Sequence, residues 1–401
     1  MFIARQPIFN RDLNVYGYEL LFRLTSDSKV FGDIDSKKAT AAVIQGLFES
    51  GIEKIVEDKK AFINFDENLI YSDVMNLISN KKLVIELLEN IELKDKLNKR
   101  VIQLRKKGYK IALDDFVKDY DEYPLVKTAD IIKYDLLETP LDELDDIVKR
   151  PLRDNKIILA EKIETKEEFI KAKKMGFHLF QGYFFNKPEI VNQVKKKRNI
   201  KTQYISLLNE LEKDEPDFQN IAEIIEKDVN LSYKLIKLVS LRISEEKIYS
   251  IKSALTYLGI NELKYWIELL MIQDTGKDLP KEILRLTLIR SKFTELIAKN
   301  SILSDKRLEA SLMGLLSNIN VLLGTDFEKA IADISVTPSI KQVLLYNKGE
   351  LKNLYQLMLA YENSNWEKVI DLSEKLNINK MELYELYTDA VIWSKKIMDK
   401  I

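Results

Sequence analysis

The sequence predicts an α/β half followed by an all-α half. The first is a modified (β/α)8, TIM-like barrel with one antiparallel strand, and the second is entirely helical. Three observations predict this. Up to about residue 190, short apolar runs of strand length alternate with amphipathic stretches of helical period. Eight such runs fall in that span, the number that closes this kind of barrel. Beyond about residue 200 the strand pattern stops, and apolar residues recur at helical spacing only.

The strand candidates are, in order, FIARQPIF, VYGYELLF, AFINF, KLVIEL, KIALDD, DIIKYD, KIILAE and FHLFQG. Helix-like segments at 36–50, 93–107 and 166–175 lie between them. Only NRDLN separates the first two strands, whereas a parallel crossover needs about a dozen residues or more, so these two form an antiparallel hairpin. The link from residue 115 to 130 carries Pro124 and no helical period, and reads as an ordered loop. VKKKRNIKTQ, residues 194–203, reads as a solvated linker, which sets the halves at 1–193 and 204–401. In the second half, residues 218–228, 231–243, 250–260, 261–272, 281–300, 306–324 and 380–398 carry helical spacing. No fixed-period repeat runs through them, so a solenoid is not expected.

Bulk properties exclude several functions. The 63 basic and 64 acidic residues nearly cancel, so no overall field favours a nucleic-acid polymer or an anionic membrane. Cysteine is absent, which removes disulfides, thiolate metal sites and cysteine nucleophiles and suits a reducing compartment. Charged residues arrive too early for a secretory signal, and no apolar run is long enough to span a bilayer. A cytoplasmic protein is the expectation.

Chemistry-bearing residues gather near the C-terminal ends of the strands. They are Glu19, Asn64, Glu86 and Glu89, Asp114 and Asp115, Lys133 and Asp135, Glu161 and Glu164, and Gln181. Alone, each is a helix cap or a solvated residue. In a barrel, however, those ends meet around one mouth. Adjacent Asp114 and Asp115 repel each other and resist desolvation, so solvent, a base or a metal must compensate them. Carboxylates with an amide, lacking histidine and cysteine, make a hard-oxygen set suited to Mg²⁺, Mn²⁺ or Ca²⁺ rather than zinc. Two neighbouring aspartates suit a pair of ions, which serves in-line displacement at phosphorus. The chemical rival is a glycosidase, whose paired carboxylates use no metal. Against it, Trp266, Trp366 and Trp393 all lie in the helical half, and a lysine and an amide within an acidic ring fit phosphate better than sugar.

RQPIF, GYELLFR, FINFDENL, VIELLE, GYKIALDDF, ADIIKYD, LAEKIET and FQGYFFNKP, in order over residues 1–190, resemble the EAL domain, the cyclic di-GMP phosphodiesterase barrel of bacterial signalling. IIEKDVNLSYKLIKLVS, SIKSALTYLGINELKYWIELL and EASLMGLLSNINVLLG resemble the HDOD domain, a helical module related to HD hydrolases. The pairing is similar to that of the bacterial EAL–HDOD signalling proteins. The resemblance implies that Glu19, Asn64, Glu86 and Asp114 hold one Mg²⁺ or Mn²⁺, and that Asp114 bridges to a second ion on Asp115 and Glu161. It implies Glu161 as general base, Lys133 at the attacking water, Arg23 on a phosphate, and Gln6 and Gln181 along the nucleotide. Glu89 and Glu164 would brace the loop after Asp115. The implied reaction is hydrolysis of cyclic di-GMP to linear pGpG.

This chain also departs from the family pattern. Glu-Ala-Leu reads Glu19-Leu20-Leu21, Val117 stands where the family has glycine, and so does Lys162. Valine disfavours the positive φ that glycine adopts freely, and a cation beside Glu161 competes with a metal. Loss of supporting contacts costs about 10- to 100-fold in metal affinity or activity. A receptor that binds cyclic di-GMP without turnover is therefore the alternative to the enzyme. HD-type phosphohydrolases need several histidines; the single one, His178, sits among apolar neighbours and reads as a packed strand residue. The helical half is expected to recognise a protein partner or a second copy of the chain, or simply to stabilise the barrel.

Overall fold

Eight strands close in sequence order into a barrel: β1 (Phe2–Asn10), β2 (Val15–Arg23), β3 (Lys60–Phe65), β4 (Leu83–Leu87), β5 (Lys110–Leu113), β6 (Ile131–Asp135), β7 (Ile157–Glu161) and β8 (Leu179–Phe180). The structure, a computed structural model, describes residues 2–23, 52–72, 79–88, 91, 95–186, 202–211, 213, 215–227, 229–240, 250–275, 280–323, 326–332 and 337–399. β1 runs antiparallel to both of its neighbours, β2 and β8, while the other pairs are parallel. The five-residue hairpin leaves no room for a crossover, so the reversed first strand follows directly from the chain.

Side-chain alternation then builds the interior. Ile8, Phe62, Val84, Ala112, Ile131, Leu159 and Leu179 form a separate buried cluster inside the barrel. A period of two places the next inward side chain two residues further toward the mouth. Those positions are Asn64, Glu86, Asp114, Lys133, Glu161 and Gln181, with Gln6 on the reversed β1. Glu19 pairs in register with Phe62 and with Gln6, which completes the layer. An apolar floor thus lies under a polar layer supplied by residues on, or one position beyond, the eight strands.

Two strands, β5 and β8, are shorter than their sequence runs by two residues or more. β5 ends at Leu113 because Asp115 turns into the left-handed region at φ 40°. Asp114 N–H still bonds Leu87 O, and Phe116 N–H bonds Lys133 O, so the turn stays tied to the neighbouring strands. β8 keeps only Leu179–Phe180. The helix expected at 166–175 is present, and a reciprocal Thr165–Glu168 capping box starts it. The segment expected at 93–107 is helical over Asp95–Lys106, and the one at 36–50 lies outside the described residues. The link after Asp115 contains one short 3-10 turn, Pro124–Lys127.

The helical half begins at Thr202, two residues inside the expected linker; 194–201 lie outside the described residues. The run at 306–324 is two helices, Arg307–Leu316 and Ile319–Leu323. They break where Ser317 Oγ bonds back to Gly314 O at 2.7 Å, a local bond that competes with helix continuation. The helices Phe327–Ala332, Pro338–Tyr346, Lys352–Glu362 and Trp366–Lys375 were not singled out in the sequence. Among the described residues no helix is long and apolar enough to cross a membrane.

The halves share one core. Phe2 of β1 stacks on Trp366 with centroids 5.3 Å apart, and Tyr361 lies edge-on to both rings. The Arg5 guanidinium sits 4.3 Å over the Tyr18 ring, and Tyr18 donates to Glu282 Oε2 at 2.8 Å. Arg285 pairs with both Glu57 and Glu282. The helical half is therefore fixed against the first two strands, beside the mouth.

Candidate metal centre

Lys133 is the hub of the polar layer. Its ammonium is buried 2.5 Å from Asp114 Oδ1, 2.7 Å from Glu86 Oε1, 2.9 Å from Glu161 Oε1 and 3.8 Å from Glu19 Oε1. Three N–H bonds cannot be aimed at four carboxylates. Glu86 Oε1 and Asp114 Oδ1 face Lys133 as ion pairs, whereas Glu86 Oε2 and Asn64 Oδ1 are buried acceptors without a hydrogen bond among the described residues. Gln181 Nε2 donates to Glu19 Oε2 at 2.6 Å and to Gln6 Oε1 at 3.1 Å, which holds Glu19 in place.

The electrostatics record a shortage of positive charge. Burial drives the Glu86 carboxyl well above its usual range; Lys133 opposes this, and Glu19 and Asp114 add to it. Burial likewise pushes Glu161 up to about 8, against the pull of Lys133. Burial, then Asp114 and Asp135, raise Asp115 to about 6. For Lys133, burial works to remove the proton, but Glu161, Glu19, Glu86 and Asp114 prevail and hold its pKa well above the ordinary value. One cation faces more carboxylate than it can neutralise.

These residues fit a divalent ion. Orphaned, buried acceptors with no histidine or cysteine form an oxygen donor set for a hard cation. Asp114, Asp115 and Glu161 bring one oxygen each within 4.8 Å of one another, a second place for such an ion.

The structure gathers Glu19, Glu86, Asp114, Lys133 and Glu161 into direct contact, with Gln6, Gln181 and Asp115 around them. Asn64 stands beside Glu86 in the β3–β4 register. Glu164 is exposed on the rim of the same cavity, and its backbone N–H bonds Glu168. Arg23 ends β2, but its side chain lies outside the described residues, as does Glu89. His178 precedes β8; its Nδ1 accepts from Ile158 N–H, a packing role. Val117 is exposed and not in the left-handed region. Among non-glycine residues near the mouth, the positive φ values belong instead to Asp115 and Lys162, and Lys162 reaches Asp135 as an ion pair.

A cavity of about 780 Å³ opens over the ring and continues along the helical half. Its far wall includes Arg290, Ser317, Asn318, Asn320, Asn363 and Tyr387. Sequence reasoning missed this wall. Its one signal was the polar pair Ser317-Asn318 interrupting the apolar run LMGLLSNINVLL.

A family model of the EAL domain matches residues 1–188, and one of the HDOD domain matches residues 199–336. YuxH of Bacillus subtilis is 37% identical over 415 residues, covering 100% of this chain and 99% of that protein. CdgJ of Vibrio cholerae, named as a cyclic di-GMP phosphodiesterase, is 30% identical over 406 residues, covering 99% of this chain and 93% of that one. Among solved structures, the manganese and cyclic di-GMP complex of BlrP1 from Klebsiella pneumoniae matches with a TM-score of 0.38 and 24% identity. The match covers 46% of this chain and 55% of that one, about half of either.

Proposed function

The chain belongs to the family of EAL-domain proteins with an HDOD domain behind the barrel, and from that premise we propose that it is a cyclic di-GMP signalling protein whose barrel hydrolyses cyclic di-GMP to linear pGpG with divalent metal ions. One observation carries the reading: a buried layer of carboxylates around a single ammonium, with acceptors left over. The full-length likeness to CdgJ supports the substrate.

Glu19, Asn64, Glu86 and Asp114 would hold one ion, and Asp114, Asp115 and Glu161 a second. When bound, Mg²⁺ or Mn²⁺ supplies activation of water and neutralisation of the leaving oxygen. The chain's own residues do the rest. With divalent ions bound beside it, which would keep its carboxyl ionised, Glu161 takes the proton from the attacking water at a carboxylate oxygen. Water oxygen bonds to phosphorus, the ester bond to the 3′ oxygen breaks, that oxygen takes a proton from solvent to become the 3′ hydroxyl, and the ring opens to pGpG. Lys133 places positive charge among Asp114, Glu86 and Glu161, where charge builds on the reacting phosphate. Gln181 orients Glu19 and, with Gln6, lines the cavity.

The test is incubation of the purified chain with cyclic di-GMP and Mn²⁺, followed by product chromatography. The expected result is pGpG, lost in Glu161→Gln. Nucleotide binding without product at high protein concentration would instead make the chain a receptor, and absence of both would overturn the nucleotide reading.

A further inference from the structure

Asp135 and Glu161 are direct partners in the β6–β7 register, and Lys162 follows Glu161 along the cavity wall. Asp135 stands two residues beyond Lys133 on β6, so it faces inward one layer nearer the mouth. It is buried, and both of its carboxylate oxygens are engaged. Leu137 N–H donates to Oδ1 at 2.8 Å, and the Lys162 ammonium donates to Oδ2. Lys162 does so from a backbone at φ 54°, a conformation that glycine adopts freely and a larger residue only at a cost. The bond to Asp135 holds the ammonium above its ordinary pKa against partial burial, and Asp115 and Glu161 add to the attraction. A tethered positive charge thus acts on two of the three carboxylates, Asp114, Asp115 and Glu161, that would take the second ion.

We propose that Lys162 weakens the second divalent-ion position: its ammonium occupies Asp135, withholding a fourth carboxylate, and repels an ion held by Asp114, Asp115 and Glu161. This rests on the reading of the acid ring as a two-ion site and names what sets the occupancy of one of its places. Two effects act in the same direction. The ammonium opposes the ion directly by Coulomb repulsion. It also neutralises Asp135, whose carboxylate would otherwise add negative charge beside Glu161, its register partner. The first position is less affected, because Glu19, Asn64 and Glu86 lie on β2, β3 and β4, across the closed barrel from the turn after β7. Paired occupancy, which in-line displacement uses, therefore takes a higher divalent-ion concentration than the same ring would need without the lysine.

The test is Mn²⁺ titration of the metal-free full chain without nucleotide, with free ion read by electron paramagnetic resonance. The proteins are the parent, Lys162→Met, Lys162→Gly, which suits the backbone, and Lys162→Arg, which keeps the charge. The expected result is two binding steps, the weaker one tightened about tenfold in Lys162→Met and Lys162→Gly but not in Lys162→Arg, with the stronger step unchanged. A parent that takes one ion where Lys162→Met takes two is the same result at its limit. A weaker step that is unchanged or loosened in Lys162→Met and Lys162→Gly overturns the inference and leaves the two-ion reading standing. Equal tightening of both steps, or the same tightening in Lys162→Arg, also overturns it, since neither marks a local effect of charge. Parent and variants that all bind fewer than two ions overturn the two-ion reading and this inference together.

Discussion

Glu161 shows what the ring does to a single side chain. Its carboxyl ordinarily titrates near 4.5, and burial pushes it up to about 8 in the folded chain. Between those values the unfolded chain has released this proton and the folded chain keeps it, so the folded state binds more protons and stability falls as pH rises. Below about 4.5 the contribution is fully present, and it is lost as pH passes through about 8. Glu86, also raised, works in the same direction. Metal-free protein is therefore expected to show a urea midpoint that declines across this window, with a shallower decline in Glu161→Gln; a midpoint that rises with pH would contradict the assignment. At this scale most of the ring was legible, because a carboxylate, amide or lysine ending so many strands is unusual. The far wall of the cavity was not, because it is assembled from residues of the helical half that lie far from the strands in sequence.

The elements hold the ring through close approaches that only certain residues permit. Gly182, just after β8, has φ 151°, and a Cβ there would lie 2.3 Å from the backbone N and O of Ile163. Those same backbone atoms bond Gln181 O and Phe184 N–H, which ties the end of β7 to the end of β8. Gly182→Ala is expected to force the two segments apart, costing about 1–3 kcal/mol in chemical denaturation and weakening Mn²⁺ binding through displaced Gln181 and Glu161. An unchanged midpoint with unchanged Mn²⁺ affinity would show that the contact is not needed. Strand order and the reversed β1 were readable from the short hairpin and the period of two. Strand ends were less so. KIALDD looks continuous, but the backbone of Asp115 leaves the strand conformation, and that choice is made by tertiary bonds to β4 and β6. The break at Ser317-Asn318 escaped for a related reason, since helical spacing runs on across it.

The whole molecule unites a barrel and a helical half through β1, whose Phe2 stacks on Trp366 and whose Arg5 meets Glu282 in a buried network. The joint is invisible to pattern reading, because it pairs residues hundreds of positions apart. A shared core predicts joint unfolding: tryptophan fluorescence, whose three residues lie in the helical half with Trp366 at the joint, and far-UV circular dichroism should give one coincident transition. Trp366→Ala, by emptying the joint, should cost about 3–5 kcal/mol or split that transition. Two separate transitions in the parent chain would mean the halves are independent. The same joint sets the helical half beside the acid ring, so the ring is the point on which fold, chemistry and coupling all converge. Its test is an anomalous-difference map from crystals of the full chain soaked in Mn²⁺. Peaks among Glu19, Asn64, Glu86 and Asp114, and among Asp114, Asp115 and Glu161, are the predicted result; a map with manganese elsewhere and none at these side chains would contradict it.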